Sequence, residues 1–223
     1  MLKLAVFDLD GTLKPRRDPY TYLHERLGVA DQAKALTARG LAGKLSYEEW
    51  LQGDAALWRG TSRERLEQLM RKLPYTPGAR ETVAALKARG VEVVIISAGL
   101  LFHAELVARD LGISQYMANE VVFSSEGDDG VVTGEVVAAV SIENKGMLLD
   151  AMQEELGMGP EVTLAVGDMR SDIPLFKRAA VSVAVQPHSD TVAEAADIVL
   201  HQADLHPLLH RLHAHAPHLW PWA

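Results

Sequence analysis

The stretch Phe7–Leu13 reads FDLDGTL and continues directly from the apolar run Leu2–Phe7. That run carries one Lys and stops at Asp-Leu-Asp-Gly, the pattern of a buried strand ending in a turn. Asp8 and Asp10 therefore leave the strand at its C-terminal end. Gly11 permits the backbone turn that brings both carboxylates to one side. In an open α/β sheet, that end of the strands is where ligands sit. Two carboxylates at this spacing repel, and one takes up a proton unless they share a cation. Mg²⁺ resolves the conflict, because it is a hard ion that prefers carboxylate, carbonyl and water oxygens.

Outward from this motif, buried strands are expected at Val91–Ser97, Val162–Val166, Val181–Val185 and Ile198–Leu200. Helical spacing lies between them, at Ala79–Arg89, Leu101–Leu111, Asn144–Leu156, Ile173–Ala179 and Leu205–His213. Such alternation predicts an α/β fold: a three-layer, Rossmann-like core with a parallel sheet and helices on both faces. Residues 14–74 break the alternation. They carry helical apolar spacing over Tyr20–Leu27, Ala30–Ala42, Ser46–Trp58 and Ser62–Leu73, punctuated by Gly28, Gly43 and Gly60, with no strand pattern. The expected division is a core of residues 1–13 and 75–223, with a small helical cap of residues 14–74 inserted after the first strand. Asp128-Asp129-Gly130, between the apolar runs of Val121–Val137, predicts a β-hairpin.

Three more chemistries converge on the same sheet edge. Ser97 ends the second strand, where its hydroxyl and the backbone N–H of Ala98 suit a phosphate oxygen near the start of the next helix. Lys145, in ENKG at a helix start, opposes the helix dipole, a placement that makes sense if it serves an anion. Asp168 directly follows the strand ending at Val166–Gly167, and Asp172 comes four residues later. Both can face one metal, although Asp172 alone also fits a helix cap. Carboxylates, a hydroxyl and an ammonium at one edge make a candidate catalytic constellation.

Taken in order, Asp8-Leu9-Asp10-Gly11-Thr12, Ser97, Lys145 and Gly167-Asp168 through Asp172 resemble the haloacid dehalogenase-like phosphatase superfamily. With the GKL segment at Gly43–Leu45, the VVTGEVV stretch and ENKG, nearly the whole chain resembles its phosphoserine phosphatase branch. The resemblance implies that Asp8 is a nucleophile forming an aspartyl-phosphate. It implies that Asp10 protonates the leaving alkoxide and then deprotonates water. Asp8, the Asp10 backbone carbonyl, Asp168 and Asp172 would hold Mg²⁺ or its waters, and Ser97 and Lys145 would hold the phosphoryl group. The branch has an acidic cap residue where this chain has Arg17, with Asp18 adjacent. It has a cap Arg where this chain has Leu51-Gln52-Gly53-Asp54, and with the helix placed one turn on, Arg59 would serve. Arg16, Arg17, Asp54 and His103, the last following the Ser97 turn, are the candidate specificity residues.

The expected function is Mg²⁺-dependent hydrolysis of a small phosphorylated metabolite. The alternatives are phosphoserine phosphatase proper, or a sugar-phosphate mutase or phosphotransferase. A receiver-like signalling module is shorter, lacks the helical insert and places no acid two residues after the phosphoacceptor. An inactive binding domain would not need the full acid set.

Length and composition agree. A chain of 223 residues suits one large domain or a domain with an insert. The absence of Cys excludes disulfides, Cys-ligated zinc or iron–sulfur sites and thiol catalysis. With 22 Lys and Arg against 30 Asp and Glu, the formal charge of −8 argues against nucleic acid or an anionic membrane as a partner. The apolar stretch near Val93–Ala104 is too short to span a bilayer, and Asp8 comes too early for a signal peptide. A cytoplasmic monomer or homodimer is expected. Six of the nine His fall between His201 and His218, in a tail whose Trp220 and Trp222 are expected to pack on the core or on a second subunit.

Overall fold

Buried β-branched runs ended by Gly, Asp or Pro become the strands of one sheet. The computed structural model describes residues 1–127 and 129–221, so Asp128 of the hairpin signal and Trp222 of the tail lie outside the described residues. The strands are β1 (Leu4–Phe7), β2 (Glu92–Leu100), β3 (Gln115–Phe123), β4 (Val132–Val137), β5 (Thr163–Gly167), β6 (Val181–Val185) and β7 (Ile198–Leu200). Their spatial order is β4-β3-β2-β1-β5-β6-β7. Every pair is parallel except β3 with β4. From β1 the chain builds first toward β2 and β3, then crosses back to β5 on the other side. The C-terminal end of β1 therefore lies at the switch point, where the flanking connections diverge and leave a crevice.

The helices are α1 (Pro19–Leu27), α2 (Ala30–Leu41), α3 (Tyr47–Leu57), α4 (Arg63–Met70), α5 (Ala79–Ala88), α6 (Leu101–Leu111), α7 (Lys145–Leu156), α8 (Ile173–Phe176), α9 (Asp190–Glu194) and α10 (Leu208–His215). Alternation along each strand sorts the core into two layers. Ala5, Phe7, Val93, Ile95, Leu164 and Val166 pack with α5, α6 and α10. Leu4, Val6, Val94, Ile96 and Ala165 pack with α7, α8 and α9. The buried Trp220 joins the first layer.

Helices α1–α4 add no strand to the sheet. Side-chain caps start α1 at Asp18, which accepts from Thr21 N, and α3 at Ser46, whose capping box with Glu49 is complete. The apolar faces of α1 and α4 and the end of α3 form a third cluster in which Leu23, Trp58, Leu66 and Met70 meet Phe102, Leu106 and Val121. The two connections to the sheet are tied together. Thr76 N donates to Leu13 O at 2.9 Å and Lys14 Nζ to Leu73 O at 3.0 Å. Among the described residues no helix is long and apolar enough to cross a membrane.

Helix α9 has no counterpart among the expected helices, and two further elements differ from the sequence reading. The hairpin's first arm starts at Gln115, not Val121, and its first half pairs parallel with β2 before β4 joins it. QYMA lacks a β-branched run, so its strand character comes from the open edge of β2. The second difference is that β2 runs on through Leu100, with a register irregularity between Ile96 and Leu100. Ser97 thus lies within an irregular strand end.

Candidate active site

The turn after β1 is the first component. Gly11 has φ +105°, which favours glycine, and a Cβ there would lie 2.2 Å from Asp168 Oδ2. The absence of a side chain lets the β1 turn close against the end of β5. Thr12 Oγ1 donates to Asp168 Oδ1 at 3.2 Å across that contact. A Cβ on Gly167 would likewise meet Asp172, and one on Gly99 would meet Asp10. Three glycines make room for three of the acids.

Asp8, Asp168 and Asp172 are buried, and each offers a carboxylate oxygen within 4.8 Å of the others. Lys145 Nζ lies between two of them, 2.6 Å from Asp8 Oδ1 and 2.7 Å from Asp172 Oδ1. The second oxygen of Asp172 accepts the backbone N–H groups of Asp168, at 3.0 Å, and Met169, at 2.9 Å. Burial pushes the Asp8 carboxyl well above its ordinary range, with Lys145 pulling it down and Asp172 and Asp168 pushing it up. Burial also raises Asp168, to about 7, with Asp172 adding to the rise and Arg17 opposing it. Burial disfavours the Lys145 charge, but Asp172 and Asp8 outweigh it and hold the ammonium above its usual range. Three crowded carboxylates facing one ammonium suit a hard divalent cation, which would let all three ionise.

Asp10 sits on the other side of the turn. Ser97 Oγ donates to Asp10 Oδ2 at 3.4 Å and accepts from Gly99 N at 3.0 Å, a contact made possible by the irregular end of β2. His103 Nδ1 is 3.3 Å from Asp10 Oδ1, off the line of a hydrogen bond, and neither ring nitrogen of His103 has a hydrogen-bond partner among the described residues. Asp8, Asp10, Ser97, Ala98 and Lys145 line one cavity of about 470 Å³, whose far side is formed by α1–α3.

The specificity candidates separate. Arg17 Nε pairs with Asp168 Oδ2 at 2.6 Å and Arg17 Nη2 bonds Gln186 O, so this cation is turned toward the acids. Arg16 pairs with Glu25 at 3.3 Å at the surface and does not line the cavity. Asp54 lines it, bonded to His24 Nε2 at 2.9 Å. His103 lines a different pocket, with Lys14 and Tyr75, behind Asp10. Sequence reasoning missed Asn119. Buried at the bend of β3, it donates to Ala98 O at 2.8 Å and to the Tyr47 hydroxyl at 3.0 Å, and accepts from Val140 N at 2.9 Å. It also missed Tyr20, His24 and Tyr47, whose only sequence signal was their place on the inserted helices.

A family model for haloacid dehalogenase-like hydrolases matches residues 5–177. The phosphoserine phosphatase of Methanocaldococcus jannaschii is 32% identical over 208 residues, covering 93% of this chain and 96% of that protein. That of Wolinella succinogenes is 32% identical over 212 residues, covering 95% of this chain and 100% of that protein. Among solved structures, a phospho-aspartyl intermediate analogue of phosphoserine phosphatase matches with a TM-score of 0.77 at 30% identity. That match covers 94% of this chain and 98% of the other.

Proposed function

The chain belongs to the haloacid dehalogenase-like hydrolases and is a phosphatase, and from that premise we propose that Asp8 attacks the phosphate monoester of a small metabolite with Mg²⁺ as the cation. One observation carries this reading. A buried carboxylate, a buried ammonium 2.6 Å from it and two more carboxylates meet where a strand end opens into a cavity.

In the first displacement an Asp8 oxygen bonds phosphorus and the ester P–O bond breaks. Asp10, protonated, gives its proton to the departing alkoxide. In the second, a water loses its proton to Asp10 and attacks phosphorus, releasing phosphate and restoring the Asp8 carboxylate. Lys145 has three N–H donors, of which Asp8 and Asp172 take two, so the third is left for a phosphoryl oxygen. Ser97 Oγ accepts from Gly99 N and gives its one proton to Asp10 Oδ2, and with an ester bound that proton would turn to a phosphoryl oxygen instead. Asp8, Asp168 and Asp172 would hold Mg²⁺, which when bound neutralises charge on the transferring phosphoryl. Residues 14–74 would act as a cap that excludes water and reads the leaving group. Phosphoserine is the substrate named for the relatives, and it is one candidate here.

The test is p-nitrophenyl phosphate hydrolysis with Mg²⁺ by the wild type and by Asp8→Asn. The variant is expected to lose turnover altogether, and acid-quenched wild type is expected to retain phosphate on Asp8. Undiminished turnover by Asp8→Asn would remove the nucleophile assignment.

A further inference from the structure

The far wall of the cavity is built by Tyr20, His24, Leu41, Tyr47, Trp50 and Asp54 from α1–α3. Among the described residues this wall contains no Lys or Arg. The two cations that line the cavity, Lys145 and Arg17, are engaged by Asp8, Asp172 and Asp168. Arg59, the next basic residue along the chain, is exposed and lies against Gly134.

A hydrogen-bond chain sets the polarity of this wall. Trp58 Nε1 lies 3.1 Å from His24 Nδ1, and His24 Nε2 lies 2.9 Å from Asp54 Oδ1. An indole N–H can only donate, so His24 Nδ1 is the acceptor and the ring proton sits on Nε2, donated to Asp54. The Trp58 N–H thus occupies one ring nitrogen of His24, and the other gives Asp54 a single N–H donor. Asp54 Oδ2 accepts no hydrogen bond from the described residues. The rest of the wall is largely aromatic, and ring faces attract cations and repel anions.

We propose that Asp54, oriented by His24 and Trp58, binds a protonated amine on the leaving group, and that the substrate is the phosphate monoester of a small amino alcohol without a carboxylate. This rests on the phosphatase reading above. It names what the far wall selects. A carboxylate on the leaving group would face Asp54 and the ring faces with no cation to meet it.

The experiment compares initial rates of the full chain with Mg²⁺ on p-nitrophenyl phosphate, 3-aminopropyl phosphate, 3-hydroxypropyl phosphate and O-phosphoserine. The expected kcat/KM for the amine ester exceeds that for the hydroxy ester by about tenfold, the scale of one charged hydrogen bond, and exceeds that for O-phosphoserine by more. In Asp54→Asn, checked for folding by circular dichroism, the amine-to-hydroxy ratio is expected to fall toward one. A wild type that cleaves p-nitrophenyl phosphate yet prefers the hydroxy ester or O-phosphoserine overturns this proposal and leaves the phosphatase reading intact. No cleavage of any ester overturns both.

Discussion

Lys145 and Lys14 are both buried, 1% and 4% exposed, and their surroundings push their charges in opposite directions. Lys145 touches two carboxylates at 2.6 and 2.7 Å, which outweigh the burial penalty and hold it protonated. Lys14 follows the β1 turn and lines the pocket that also holds Tyr75 and His103. Its ammonium meets the Leu73 carbonyl at 3.0 Å and the Tyr75 ring at 3.5 Å, and among the described residues no carboxylate is in contact with it. Burial lowers Lys14 to about 8, with Asp110 opposing the shift and Arg80 adding to it. Burial sets a cost for both, and only a carboxylate in contact offsets it. The first arrangement serves chemistry. The second fastens the two connections of the inserted helices, a structural task that a neutral amine also performs.

The largest test of this contrast is Lys145→Met. Loss of the ammonium is expected to lower kcat by about a thousandfold or more, the scale of lost charge stabilisation in a water-poor site. It also leaves Asp8 and Asp172 unpaired, which is expected to cost about 3–5 kcal/mol in metal-free buffer. Initial rates and a thermal melt check both, and a rate within tenfold of wild type would break the contrast.

Gly11→Ala changes no charge. Its Cβ must displace Asp168, so turnover is expected to drop by about a hundredfold, the scale of a catalytic group misplaced by an ångström. Activity near wild type would mean that the position of the carboxylates matters less than their number.

Mg²⁺ should distinguish the two lysine regions. At a hundredfold excess over its Kd it is expected to stabilise the fold by about 2.7 kcal/mol, read as a rise in Tm. Asp168→Asn should reduce that rise and Lys14→Met should keep it. An unchanged rise in Asp168→Asn would move the metal elsewhere.

Lys14→Met carries the smallest effect, with activity expected to stay within about threefold, because the residue lies outside the cavity lining. Its signature is in pH. The folded chain gives up the Lys14 proton near 8 and the unfolded chain near 10.5. Between those values the unfolded state binds more protons, so stability rises with pH. The expected gain is on the order of 1 kcal/mol after solvent screening. Denaturant midpoints at pH 8 and pH 10 should show that gain in the wild type relative to Lys14→Met, and parallel curves would refute it.

Much of the fold was legible because its signals are local. VEVVIIS and VTLAV are β-branched runs stopped by Gly and Asp, and Pro77-Gly78 and Gly90 bracket α5. QYMA was not legible, because it becomes a strand only by pairing with β2. Placement at a strand end likewise brought Asp8, Asp10 and Asp168 to notice, whereas Asn119 gave no signal because its strand had gone unrecognised.

The sequence by itself determined that acids, a hydroxyl and a lysine reach one edge of a parallel sheet, since strand ends and glycine turns are written in neighbouring residues. Only the tertiary structure decided who meets whom. Lys145 joins Asp8 across 137 positions, and Arg17 turns to Asp168 across 151, away from the far wall where a reader of the chain would seat it. Trp58 orders the His24 tautomer that orients Asp54. Periodicity reports which face of an element is buried. Pair contacts depend on how separate elements pack, and nothing in the local pattern encodes that.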